Sequence, residues 1–239
     1  MESSFINICG CGHTGSSILA RILGEHTKIY FVPLESGMYL ANRYFEEFEY
    51  RNEYINACEK EGKQFVLEKT PRHIWHVDYI RRKYKGTKFI ITTRDGMEVI
   101  SSLYNRTKDF DQSCSRYFDD SILSLRQLNL SDTLLVRYED LIENPKLVLE
   151  SIFNWLDLTY EENILDYYLK PINWNFDNPY GDQKPNNHDI LRNNQVNSPL
   201  TKSKINWSDK LPEKYHNKLI KMFQNGELGR KIMDKMGYE

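Results

Sequence analysis

The sequence lacks long apolar runs, clustered cysteines and an excess of positive charge, and each absence excludes a class of protein. No apolar segment approaches the ~20 residues that a membrane-spanning helix needs. The 4 cysteines have neither metal-ligand spacing nor the density of a disulfide-stabilised scaffold. A net charge of −2 provides no overall basic field for binding nucleic acid. The N-terminal Met-Glu-Ser-Ser lacks the basic segment of a secretory signal, so we expect a reduced, cytoplasmic protein.

The order of the apolar segments predicts the fold class. The strand-like segments FINICG, IYFVPL, QFVLEK, TKFIITTR and DTLLVRYEDL alternate with helical segments, which include residues 97–106 and 112–128. This alternation predicts a single three-layer α/β domain over residues 1–239, with a central, mostly parallel sheet flanked by helices. Residues 170–207 are rich in Asn and Pro and have almost no apolar periodicity. We therefore expect a long polar loop there that acts as a substrate or cofactor lid.

The segment NICGCGHTGSSIL, residues 7–19, predicts a P-loop-like strand–loop–helix unit. Such a unit directs backbone N–H groups and a helix N-terminus at one point, which is typical of an anion-binding site. Gly10-x-Gly12-x-x-Gly15 matches the dinucleotide fingerprint, and Glu35 stands where NAD(P)-binding proteins place a ribose ligand. A Walker A loop also fits in part, but Ser16 occupies its lysine position, which argues against ATP hydrolysis.

A third alternative is a nucleotide with anionic groups at two separate places. Arg94 ends the strand-like segment TKFIITTR, and Ser102 follows eight residues later on the next helix. A guanidinium and a hydroxyl at such a junction can clamp a second phosphate away from the glycine loop. Lys69 ends another strand, at the carboxyl edge where open α/β sheets bind ligands.

Four motifs, taken in order, resemble those of the sulfotransferases that use 3′-phosphoadenosine-5′-phosphosulfate (PAPS). GCGHTGSSILARIL resembles the 5′-phosphosulfate loop, VLEKTPRH the K-x-P segment, KFIITTRDGMEVISSL the 3′-phosphate motif, and LLVRYEDLIENP the Y-E-D-L-x-x-x-P element. The resemblance implies transfer of a sulfuryl group from PAPS to an acceptor hydroxyl of a sugar, tyrosine or small alcohol, with release of PAP. No group of His, Asp and Glu has metal-ligand spacing, so we expect no metal. A Rossmann-type NAD(P)-binding protein and a non-catalytic PAP-binding homologue remain alternatives.

The resemblance also implies roles for individual residues. The cofactor-binding residues that it implies are Gly12, His13, Thr14, Gly15, Ser16, Ser17, Arg94, Ser102, Tyr138, Ser203 and Lys204, with Lys184 and Arg192 as further candidates. Glu35 is the expected catalytic base, and we expect burial to raise its pKa toward a useful range. His13 stands where the family carries Arg or Lys. Either protonated His13 or Lys69 is therefore expected to stabilise the charge that develops on the leaving PAP.

Overall fold

Five short apolar segments form one parallel sheet in the computed structural model, which describes residues 4–40, 46–174, 187–201 and 206–238. The strands are β1 (Ser4–Gly10), β2 (Ile29–Phe31), β3 (Phe65–Lys69), β4 (Lys88–Thr93) and β5 (Thr133–Arg137). They lie in the order β2-β3-β1-β4-β5, and every neighbouring pair is parallel. The predicted α/β class with a central parallel sheet is therefore confirmed.

Helices connect and flank the strands. Within the described ranges they are α1 (Ser16–Leu23), α2 (Glu47–Lys60), α3 (Val77–Lys83), α4 (Gly96–Thr107), α5 (Phe110–Gln127), α6 (Tyr138–Glu143), α7 (Pro145–Trp155), α8 (Asn187–Val196), α9 (Trp207–Lys210), α10 (His216–Met222) and α11 (Leu228–Lys235). Short 3-10 turns cover Pro71–His76, Glu162–Leu169 and Glu213–Tyr215. The helices predicted at 97–106 and 112–128 correspond to α4 and α5, with ends that differ by one or two residues.

The central strand is buried on both faces, which explains its continuous apolar sequence. Side chains alternate along β1, so Ile6 and Ile8 pack in one core while Phe5 and Cys9 pack in the other. On the first face, apolar residues of α1 and α7 cover the sheet. On the second face, residues of α2 and α3 do so. A third core joins α4 and α5 to α10 and α11.

The segment predicted as a long polar loop, residues 170–207, is partly helical, so that prediction is wrong over α8. Hydrogen bonds from asparagine side chains hold this helix, in addition to apolar contacts. Asn193 Oδ1 accepts from the Trp174 backbone N–H at 2.9 Å. Asn197 pairs with the backbone of Ile172 through both polar atoms of its amide, at 2.9 and 2.8 Å. Trp174 and Val196 are fully buried and hold this layer to the body of the domain. Lys184, Ser203 and Lys204 lie outside the described residues.

The strand order places the glycine loop where ligands of open α/β sheets bind. The chain leaves β1 toward β2 on one side of the sheet, whereas β4 and β5 lie on the other side. At β1 the strand order therefore changes from one side of the sheet to the other. A crevice opens at the carboxyl end of the strands at such a point. The ends of β3 and β4, with Lys69 and Arg94, lie beside it.

Candidate active site

A cavity of about 730 Å³ opens at the carboxyl edge of the sheet. This volume lies within the ~300–1,000 Å³ that small-molecule sites occupy. Its lining comes from the glycine loop, the segment after β2, the turn after β3, helices α4 and α5, the first residue of α6, and helix α8 with the residues that follow it. The polar and charged lining residues include His13, Ser16, Ser17, Glu35, Ser36, Thr70, Arg72, Arg94, Ser102, Arg106, Arg116, Tyr138, Arg192, Asn194 and Gln195.

The glycine loop adopts a backbone conformation that L side chains rarely take. His13 has φ 67° and Gly15 has φ 81°, both in the left-handed region. The ring of Tyr138 lies directly over Gly15, where an added Cβ would come within 2.3 Å of Cδ2. Glycine is therefore required at this position by both the backbone and the packing. Helix α1 begins immediately afterwards, so its N-terminal N–H groups and the hydroxyls of Ser16 and Ser17 are available to an anion in the cavity.

Thr14 supports the loop from below through its side chain. Its hydroxyl donates to the Cys11 carbonyl at 2.7 Å and lies 2.6 Å from the hydroxyl of Thr92 at the end of β4. The residue is 2% exposed, and its side chain does not line the cavity. The contact of Thr14 with a cofactor therefore stays a prediction.

Helix α4 connects the glycine loop to the predicted second phosphate site. The Asp95 carboxylate caps this helix by accepting from the backbone N–H groups of Met97 and Glu98, at 2.9 and 3.1 Å. His13 Nδ1 lies 2.7 Å from Ser102 Oγ, so the glycine loop and α4 are in direct contact. The Arg94 guanidinium stacks on the Tyr138 ring, with 4.6 Å between its central carbon and the ring centre. The structure therefore brings His13, Ser102, Arg94 and Tyr138 to one wall.

Glu35, which also lines the cavity, lies in an ion-pair network. Its Oε1 accepts from Lys69 Nζ, and also from Arg192 Nη1 at 2.7 Å. Burial raises the pKa of Glu35, but the charges of Lys69 and Arg192 outweigh burial and lower it to about 2. The expectation of a raised pKa is therefore wrong. The apolar residues that precede Glu35 in the sequence indicated that its side chain is buried. They gave no sign of the two cations beside it.

Lys69 is fully buried and faces Glu35 rather than the cavity. Burial lowers its pKa to about 8, although the Glu35 carboxylate opposes this change. The side chain is still mostly protonated at neutral pH. Its Nζ also lies 4.8 Å from the ring centre of Trp174, a cation–π contact with the 170–174 segment.

A second buried network positions the segment that carries Glu35. Glu68, fully buried on β3, accepts from Ser36 Oγ at 2.8 Å and from Thr70 Oγ1 at 2.6 Å, and it lies 3.0 Å from His73 Nδ1. The Thr70 hydroxyl in turn accepts from the Gly37 backbone N–H at 3.1 Å. Burial raises the pKa of Glu68, but the effect of His73 and of these hydrogen bonds is larger. The pKa is therefore below its usual value, and the carboxylate is ionised at neutral pH. Residues 35–37 are thereby held against the end of β3.

Comparisons with known proteins identify the family. A model of the sulfotransferase family matches residues 34–162, more than half of the chain. This chain belongs to the sulfotransferase family. No curated protein sequence matches the chain significantly.

Solved sulfotransferase structures share the fold over nearly the whole chain. Mouse sulfotransferase SULT7A1, solved with PAP, is 13% identical with a TM-score of 0.61, and the match covers 99% of this chain and 90% of that one. The sulfotransferase domain of the Synechococcus PCC 7002 olefin synthase is 16% identical with a TM-score of 0.59, covering 99% and 95%. Retinol dehydratase, solved with androsterone and PAP, is 13% identical with a TM-score of 0.51, covering 98% and 82%.

Three arginines that the sequence analysis did not select line the cavity. Arg116 Nη2 lies over Gly12, within 2.8 Å of where a Cβ would be. Arg72 directly follows the T-P of the K-x-P segment, and Arg106 lies one helical turn after Ser102. The 3′-phosphate motif could have indicated Arg106, because i and i+4 share a helix face. The K-x-P segment could have indicated Arg72, because this residue directly follows it. Nothing in the local sequence marks Arg116, which reaches the site from α5.

The described residues contain neither a membrane-spanning helix nor a group of metal ligands. None of their helices combines the length and apolar character needed to cross a membrane. Among the same residues, no group of three or more His, Cys, Asp and Glu side chains is arranged to hold a metal ion.

Proposed function

We propose that this chain transfers the sulfuryl group of PAPS to an acceptor hydroxyl and releases PAP. The observation that carries the proposal is the 2.7 Å contact between His13 Nδ1 and Ser102 Oγ. This contact supports the proposal because it joins the glycine loop to α4, and the cavity that both of them line also contains Arg94. A nucleotide with a 5′-phosphosulfate and a 3′-phosphate has anionic groups at two such places.

The residues of the two sites fit PAPS by chemistry. Ser16, Ser17 and the loop N–H groups would hold the 5′-phosphosulfate, since N–H donors and a helix N-terminus stabilise anions. Arg94 and Ser102 would hold the 3′-phosphate through charge-assisted hydrogen bonds. Tyr138, already stacked on Arg94 and covering Gly15, would lie beside the nucleotide. The PAP complexes of mouse SULT7A1 and retinol dehydratase, which share the fold, support this choice of ligand.

The reaction requires an in-line displacement at sulfur. The acceptor oxygen forms a bond to sulfur while the bond from sulfur to the PAP phosphate oxygen breaks, and the hydroxyl proton passes to the Glu35 carboxylate. Positioning and charge stabilisation would supply most of the catalysis. Lys69 faces Glu35, not the cavity, which favours His13 as the cation near the leaving oxygen. We therefore assign Lys69 a positioning role toward Glu35.

The dinucleotide alternative is less well supported by the geometry. It needs the Glu35 carboxylate to accept hydrogen bonds from ribose hydroxyls. That carboxylate instead accepts from Lys69 and Arg192. The cavity lining also contains several arginines, which suit a more highly charged ligand.

A nucleotide panel in a thermal-shift assay tests the proposed ligand. A ligand present at about 100 times its Kd stabilises the folded protein by about 2.7 kcal/mol, which is a clear shift in melting temperature. We expect PAP to give a larger shift than NADP or ATP at equal concentration. A larger shift with NADP would overturn the proposal and favour the dinucleotide alternative. Binding of PAP without sulfation of any hydroxyl compound would identify a non-catalytic homologue.

A further inference from the structure

Arg116 reaches the glycine loop from a distant part of the sequence. It lies on α5 and lines the cavity together with Gly12. Its Nη2 lies 2.8 Å from the position that a Cβ of Gly12 would occupy, so the guanidinium packs directly against the backbone of the loop. A guanidinium is charged at every working pH. A permanent positive charge therefore borders the part of the loop where the 5′-phosphosulfate is proposed to bind.

A buried carboxylate holds this side chain and leaves part of it for another partner. Asp120 lies one helical turn later on α5, its side chain is 2% exposed, and its Oδ2 is 3.7 Å from Arg116 Nε. Trp75 Nε1, in the turn after β3, donates to Asp120 Oδ1 at 2.7 Å and so fixes the carboxylate. Nε of the guanidinium thus lies near Asp120, whereas Nη2 lies over Gly12. Because a guanidinium has five N–H donors, one side chain can serve both the carboxylate and an anion in the cavity.

The hydrogen bonding of Arg116 is incomplete within the described part of the chain. The distance of 3.7 Å to Asp120 is too long for a hydrogen bond, and the buried Nε donates to no other described residue. The Arg116 side chain is 20% exposed, so water solvates it only in part. A partly buried charge destabilises a protein unless it is paired and hydrogen-bonded. An anion beside Gly12 would add both a counter-charge and hydrogen bonds.

The glycine loop has little positive charge of its own. His13 is the only side chain of residues 10–17 that can carry one, and an imidazole is charged only while it is protonated. The other donors of the loop, its N–H groups and hydroxyls, have no net charge. A phosphosulfate is anionic on both its phosphate and its sulfate. Arg116 supplies the fixed charge that the loop lacks.

We propose that Arg116 binds the 5′-phosphosulfate of PAPS across Gly12 and supplies the permanent cation at that end of the site. The inference rests on the proposed function, because it takes PAPS as the ligand. The guanidinium would form charge-assisted hydrogen bonds to oxygens of the phosphosulfate and hold this group over the loop. Since the charge of an arginine does not change with working pH, binding at this end would persist when His13 is neutral.

Calorimetric titration with two half-ligands tests the proposal without requiring turnover. Adenosine 5′-phosphosulfate carries only the 5′ group, and adenosine 3′-phosphate carries only the 3′ group. Arg116→Gln should weaken binding of adenosine 5′-phosphosulfate by roughly 10- to 150-fold, the loss expected for a charge-assisted contact, and leave binding of adenosine 3′-phosphate unchanged. Arg94→Ala should give the reverse pattern.

Two further variants separate binding from folding. Arg116→Gln leaves the buried Asp120 without the cation that lies 3.7 Å away, and an uncompensated buried charge destabilises the fold. The double variant, Arg116→Gln with Asp120→Asn, removes both charges and keeps an oxygen for Trp75, so it should fold and show the same loss. The matched control is Arg126→Gln, an exposed arginine of α5 outside the cavity lining, which should bind both half-ligands as the wild type does.

The outcomes separate this proposal from the proposed function. If the wild type binds PAP, but Arg116→Gln and the double variant bind adenosine 5′-phosphosulfate as tightly as the wild type, the proposal is refuted while PAP binding stands. Equal losses for both half-ligands would also refute it, because they would assign Arg116 a structural role. If PAP itself fails to bind, the proposed function fails, and this inference fails with it.

Discussion

Replacing Glu35 with glutamine removes the carboxylate that Lys69 and Arg192 share. In the folded protein Glu35 has a pKa lowered from 4.5 to about 2, because the two cations outweigh the effect of burial. The side chain is 26% exposed, so solvent screens the network only in part. The difference in pKa corresponds to about 3 kcal/mol of stability at neutral pH. The free energy of unfolding of the Glu35→Gln variant should therefore be lower than that of the wild type by about this amount.

The pH dependence gives the sign of the effect. A carboxyl whose pKa is lower in the folded state stabilises the protein above its unfolded pKa, here 4.5. That contribution declines as the pH falls from 4.5 toward about 2. The difference in unfolding free energy between wild type and variant should therefore be largest near neutral pH. It should narrow by about 1 kcal/mol on acidification to about pH 4.

Urea denaturation followed by tryptophan fluorescence measures this difference, since the chain has 4 tryptophans. The matched control is Glu162→Gln, which removes an exposed carboxylate 3.2 Å from the exposed Lys146. Because exposed ion pairs contribute little, the control should leave stability nearly unchanged. Equal losses in the two variants near neutral pH would refute the reasoning. A difference for Glu35→Gln that widens on acidification would refute it as well.

Two further predictions concern the proposed nucleotide site. Arg94→Ala should weaken PAP binding, measured by calorimetry, by about 1.5–3 kcal/mol. Adenosine 5′-phosphosulfate, which lacks the 3′-phosphate, should bind as before. Equal losses for both nucleotides would assign Arg94 a structural role instead. If His13 supplies a cation, sulfation should decline at alkaline pH, because a histidine side chain loses its proton as the pH rises. His13→Arg should abolish that alkaline decline in a pH–rate profile, and a variant that keeps the wild-type decline would exclude His13 from catalysis.

The sequence by itself determined the elements whose signals are local. The buried strand before the glycine loop, the loop itself and the helix that starts at Ser16 each depend on neighbouring residues, and all are present in the structure. The parallel α/β class followed from the alternation of strands and helices, because parallel strands need such crossovers. Ordered motifs along the chain also identified the family before any comparison.

Local signals failed in residues 170–207, where the sequence suggested only a polar loop. Helix α8 forms there although it has little apolar periodicity, because asparagine side chains hydrogen-bond to the backbone of residues 172 and 174. Buried Trp174 and Val196 supply the packing that periodicity normally reveals. Two isolated apolar residues carry no periodic pattern, so the tertiary contacts alone decide this helix.

Only the tertiary structure decided the charge state of the candidate base. Glu35 contacts Lys69, which lies 34 positions away in the sequence, and Arg192, which lies 157 positions away. Burial of a carboxyl can be inferred from neighbouring apolar residues. Whether its pKa rises or falls, however, depends on which charges lie within a few ångströms. Those charges are brought together by the sheet order and by the docking of α8. Such distances follow from the folded chain and cannot be read from the spacing of residues along it.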